Sequence, residues 1–143
     1  KLLEAAKRND PYGYLFIEAS DLADLLSIKS ILGIKTHEAY KKGKEELNKI
    51  LPLYTSCIEK VDKFHSSFES MWMKENKPFG YEIVDIRLGG LKNRLIYAKN
   101  RISKYIEGEI AKIEELEETQ LDPTREEGLL VSHYKWIIST SNI

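Results

Sequence analysis

"WMKENKPFGYEIVDIRLGGL", residues 72–91, sets a Pro-Phe-Gly corner between two helical patterns and then drops a Gly-Gly pair among charges. Beyond the corner Val84, Leu88, Leu91, Leu95, Ala98, Ile102 and Tyr105 step by 4, 3, 4, 3, 4, 3, an a/d heptad rhythm held for three repeats. The rhythm crosses Gly89 and Gly90 without losing phase. A loop there would reset the register, so the helix runs through, from Glu82 to Glu107, over about 39 Å at 1.5 Å per residue. Two glycines inside a helix cost roughly 1 kcal/mol each relative to alanine. Close approach of another backbone or of a ligand is the compensation this predicts.

Upstream of the corner the pattern predicts a helix from about Thr55 to Asn76, with Ile58, Val61, Phe64 or His65, Phe68 and Met71 or Trp72 on one stripe. Pro78 and Gly80 close it, since proline disfavours helical geometry in the preceding residue and glycine accepts a positive φ. Earlier still, residues 14–32 place Leu15, Ala19, Leu22, Leu25, Leu26 and Leu32 along one helix face, with Gly33 as a stop. Thr36 then reads as the N-cap of a further helix with Ala39, Tyr40, Gly43, Leu47 and Ile50 inward, ended by Pro52. "KLLEAAKR" at the start is helical, "NDPYG" a turn, and Gly108 a break. A short acidic helix or turn follows, anchored by Ile110, Ile113 and Leu116. "LDPTREEG" reads as a linker, and "LLVSHYKWIISTSNI", rich in β-branched and aromatic residues, as an extended strap. The expected architecture is all-α: a bundle of about four to five helices with a long heptad-patterned helix near 82–107 and an extended C-terminal tail. Residues 1–143 form one helical domain in which 122–143 are linker and tail.

At 143 residues, 42% hydrophobic and 31% charged, the chain suits one globular core. The net charge of −1 opposes a general role on nucleic acid or on a membrane surface, because such binding needs a basic field that releases counterions. No apolar run reaches the length of a membrane span. Cys57 is the single cysteine, so no intrachain disulfide or multi-cysteine metal site is available, and a small buried hydrophobe is its expected role. The chain opens at Lys1 inside a helical pattern, which reads as a piece of a longer protein.

No motif for nucleophilic, nucleotide or cofactor chemistry is present, and none of His37, His65 and His133 stands at metal-ligand spacing. His65 shares a stripe with Val61 and Phe68, which predicts a core histidine with a hydrogen-bond partner. His133, Tyr134 and Trp136 suit a packed tail anchor or an aromatic patch. The acidic run from Glu107 to Glu118 reads as a solvated face, and no Asp and Glu stand adjacent anywhere. Around the corner, Glu75, Asn76, Asp85 and Arg87 flank the junction of two antiparallel helices. Asp85, near a helix N-terminus, is expected to pair with an arginine or cap the corner, and Arg87 to grip a carboxylate. Trp72 suits a core or an interface anchor.

Residues 64–118, from "FHSSFESMWMKENKPFGYEIVDIRLGGL" to "EIAKIEELEE", resemble the C-terminal helical domain of bacterial glycoside hydrolase family 20 enzymes, the exo-acting β-N-acetylhexosaminidases. "ADLLSIKSILGIKTHEAYKKG", residues 23–43, resembles the preceding hairpin and "YKWIISTSNI" the closing tail. The most specific part is Glu75, Asn76, Lys77, Pro78, Phe79 and Gly80 followed by Asp85, Arg87, Leu88, Gly89 and Gly90. The resemblance implies a parent enzyme with an N-terminal α/β domain and a (β/α)8 catalytic barrel in the same chain, cytoplasmic or cell-associated in a bacterium. In such enzymes the substrate's acetamido oxygen attacks the anomeric carbon while a Glu serves as acid and base and a neighbouring Asp steadies the acetamido group. That Asp-Glu pair belongs to the barrel, so no catalytic residue, metal or cofactor is assigned here and this piece alone is expected to be inactive. What remains is mechanical: stabilising the barrel, mediating homodimer contact, or walling the substrate entrance. Trp72, Glu75, Asn76, Asp85, Arg87, Gly89 and Gly90 are the expected docking or substrate-proximal surface. A free-standing helical interaction module is the rival. A docking piece leaves an apolar patch exposed, whereas an autonomous module does not.

Overall fold

The computed structural model describes residues 1–8 and 11–118. The chain divides into two compact units, Lys1–Ile113 and Glu114–Ile143. The first holds α1 (Leu2–Ala6), α2 (Gly13–Lys42), α3 (Lys44–Asn48), α4 (Leu51–Glu75) and α5 (Tyr81–Glu107). The described part of the second is the one-turn α6 (Glu114–Glu117). The fold is an all-α bundle, with no strand among the described residues. The linker, the tail and the His133 patch lie outside the described residues.

α5 runs unbroken through Gly89 and Gly90, as its heptad phase requires. Leu95 and Ile102 are buried, and Val84, Leu88, Leu91, Ala98 and Tyr105 are half-buried along the same seam. The seam packs on α4, whose Tyr54, Cys57, Val61 and Phe64 recur at three- and four-residue steps and are all buried. Ion pairs give the directions. Asp62 lies 2.7 Å from Lys92 and His65 lies 3.1 Å from Asp85, so α4 and α5 are antiparallel. Asp21 pairs with Lys63 at 2.8 Å and Thr36 with Tyr54 at 3.1 Å, so α2 and α4 are antiparallel too. α2 and α5 therefore run parallel to each other, both packed on α4.

Four local expectations are corrected. Gly33 does not stop a helix and Thr36 does not cap one: α2 continues for 30 residues, through both. Thr36 is buried, and its hydroxyl donates to Leu32 O at 2.7 Å while sharing a hydrogen bond with Tyr54 Oη. A threonine satisfied this way has no need of a helix end. Pro52 begins a helix where an end was expected. It sits in the first turn of α4, where its missing N–H has no intrahelical partner to lose and its fixed φ is already helical. The real interruption is Gly43, at φ 113°, between α2 and α3. Leu15 and Leu26, placed on the inward face, are exposed, while Leu25 and Leu32 are buried.

The core is completed by Leu47 of α3, by Ala39, and by Ile113, whose N–H donates to Tyr40 Oη at 3.2 Å. Cys57 is fully buried, and that burial pushes its thiol above the usual range. Lys44 ties α3 to the end of α5, donating to Ile106 O at 3.2 Å with its ammonium 5.0 Å from the centre of the Tyr105 ring. At the other end Gly13 lets α1 approach α2: a Cβ there would stand 2.9 Å from the Ala6 carbonyl oxygen.

Candidate functional site

The corner between α4 and α5 is built from its own residues. Asn76 turns the chain extended at φ −131°, ψ 168°, and its N–H still donates to Trp72 O at 2.8 Å. The Trp72 indole N–H reaches forward to Lys77 O at 2.9 Å, strapping the turn to the helix behind it. Gly80 at φ 96° supplies the left-handed step that a side chain resists. Its N–H donates to Glu82 Oε2 at 2.7 Å, so Glu82, not Asp85, braces the corner where the new helix starts. Below the turn, aromatic rings form a pedestal: Phe64, Phe68, Trp72 and Tyr81 follow one another with centroids 5.8, 6.1 and 6.1 Å apart.

On this frame the expected residues separate. Trp72 is half-buried, and its N–H is spent on the turn. Glu75 accepts a hydrogen bond from the Tyr14 hydroxyl, and the Lys74 ammonium lies 4.3 Å from the centre of that same ring, so both belong to the α2–α4 seam. Asp85 pairs with His65, not with an arginine, and the His65 ring stacks on Tyr81 at 6.1 Å. Burial, and then the nearby carboxylates of Glu69 and Asp85, push the Tyr81 phenol above its usual range. Arg87 is exposed and grips no carboxylate among the described residues. Gly89 is half-buried and Gly90 exposed, and a Cβ at either would meet no described atom within 4 Å. The close approach that the glycines predict is thus not made within the described part of the chain.

Sequence reasoning passed over the most prominent feature. Phe79, between Pro78 and Gly80, is 86% exposed, more than any other large hydrophobic residue described. Ile83 and Ile86 continue from it along the outside of α5 at four and three residues, and Gly90 follows four later. The signal was present, because an apolar residue between proline and glycine has no helix in which to hide, but only the packed pedestal shows that it points outward. Among the described residues no three histidine, cysteine, aspartate or glutamate side chains gather as a metal site, and no helix is long and apolar enough to cross a membrane.

Comparison with known families agrees with the corner motif. Residues 1–131 match the model of the glycoside hydrolase 20C C-terminal domain. No curated protein matches the chain. A match over most of the chain, together with the helical bundle and the Pro-Phe-Gly corner, leads to one conclusion: the chain belongs to the glycoside hydrolase 20C C-terminal domain family, an accessory domain whose catalytic domain lies in the same polypeptide.

Proposed function

We propose that this domain supports the catalytic barrel of an exo-acting β-N-acetylhexosaminidase, docking through the α4–α5 corner and the outer face of α5, and that the same region contributes to subunit contact. The observation that carries the reading is the held-out Phe79. Its turn is held by the Trp72–Lys77 and Gly80–Glu82 hydrogen bonds, so the ring is presented without the entropy loss of ordering a loop. A rigid exposed aromatic, beside Ile83 and Ile86 and rimmed by charge, has the make-up of an interface anchor. The rival, a self-standing interaction module, predicts no such exposed apolar patch.

The test uses the full-length enzyme. Phe79→Ser should lower the temperature at which hydrolysis of a chromogenic N-acetylglucosaminide is lost, with little change in KM, because the ring contributes assembly and not chemistry. Truncating an interface anchor costs about 2 kcal/mol or more. An unchanged inactivation temperature together with unchanged oligomeric mass would refute docking through this corner.

A further inference from the structure

A second feature lies farther along the same side of the bundle. Between the parallel helices α2 and α5, above α4, runs an open groove of about 270 Å³. Leu32, Leu91 and Leu95 contribute to its apolar lining, and Lys29 and Arg94 add a cation from each wall. Gly33 also lines it, in the middle of a 30-residue helix, and a Cβ there would meet nothing within 4 Å. A helical glycine that relieves no internal clash, set in the wall of a groove, leaves room for something outside the domain.

Charge gives the character of the occupant. Each described aspartate already has a basic partner: Asp21 with Lys63, Asp24 with Lys60, Asp62 with Lys92 and Asp85 with His65. Lys29 and Arg94, by contrast, meet no described carboxylate in ion-pair range. The Arg94 guanidinium lies 5.1 Å from the centre of the Tyr97 ring, which restrains it at the groove edge while its N–H donors stay available. The openness of the groove suits a segment of polypeptide better than a small molecule, since small-molecule pockets enclose most of their ligand. Ile83, Gly90 and Arg94 recur on α5 at seven and four residues, so the groove wall continues the apolar strip that begins at Phe79.

We propose that the α2–α5 groove receives a segment of the catalytic barrel of the same polypeptide that presents an apolar side chain flanked by carboxylates. This rests on the docking reading above and specifies where, and by what chemistry, the barrel is held beyond the corner. The experiment uses the full-length enzyme in four forms: Lys29→Glu/Arg94→Glu, Gly33→Leu, the control Lys35→Glu on the same helix outside the groove, and a variant lacking the helical domain. The readouts are the rate of proteolytic cleavage between barrel and domain, the half-time of thermal inactivation, and mass by sedimentation. Both groove variants should speed cleavage and shorten the half-time at least about tenfold, from the loss of charge-assisted contacts or of the seat itself, with mass unchanged. Gly33→Leu guards against misfolding as the cause, since leucine favours the helix more than glycine does.

Silence of either groove variant, or the same response from Lys35→Glu, overturns the proposal. So does a fall in mass without faster cleavage, which would assign the groove to a second copy of the chain. The variant lacking the domain separates the two levels of the argument. If its removal leaves the barrel as stable as before, the docking reading itself fails; if removal destabilises the barrel while the groove variants are silent, only the groove assignment is lost.

Discussion

Alanine at Gly89 and Gly90 should stabilise the 143-residue chain, although both glycines belong to its most distinctive motif. Each sits inside α5, where glycine is about 0.8–1.0 kcal/mol less favourable than alanine. An added Cβ at either position meets no described atom within 4 Å, so no overpacking term subtracts from that gain. The double variant is then about 2 kcal/mol more stable. With a urea dependence of roughly 1–3 kcal/mol/M, the unfolding midpoint rises by about 1 M. The assay is urea unfolding followed by far-ultraviolet circular dichroism, with Gly80→Ala as the contrasting variant. Gly80 sits at φ 96°, where a side chain is strained by roughly 1–2 kcal/mol, so its midpoint should fall. A lower midpoint for Gly89→Ala or Gly90→Ala would refute the reasoning, because it would mean that the glycines serve packing within the chain and leave no open notch. In the full-length enzyme the same alanines should lose part of their advantage, since the proposed neighbour then competes with each methyl group.

Two further outcomes follow from individual side chains. Thr36→Val leaves the Tyr54 hydroxyl buried without its 3.1 Å partner and should lower stability by about 1–3 kcal/mol, whereas Thr36→Val combined with Tyr54→Phe should recover much of the loss; a double-mutant cycle in urea checks the coupling. Glu18→Gln should raise the midpoint at neutral pH. Burial, and then the neighbouring Asp21, push the Glu18 carboxyl above its usual range, so the ionised form is disfavoured in the folded state. The resulting penalty is complete above the raised value, shrinks as pH falls through the interval between the raised and ordinary values, and is absent below both. The benefit of glutamine should therefore disappear in acid, and a benefit independent of pH would contradict this assignment.

What the sequence determined was the part governed by neighbours along the chain. The α5 heptad survives two glycines because phase is a property of spacing, and the Pro-Phe-Gly corner is legible because proline and glycine restrict their own backbone. Local rules failed where a longer-range contact outweighed them. Gly33 and Thr36 spell a stop and a cap, but burial of Leu32 and Ala39, together with the Thr36–Tyr54 hydrogen bond, carries α2 through both. Only the tertiary structure decided which apolar residues stay outside. Leu25 and Leu26 are neighbours of the same type, yet one is buried and the other exposed, because a helix turns adjacent side chains about 100° apart and only the packing of α4 selects the inward face. Phe79 and the α2–α5 groove are surface features of the same origin: exposure depends on what the rest of the chain fails to cover.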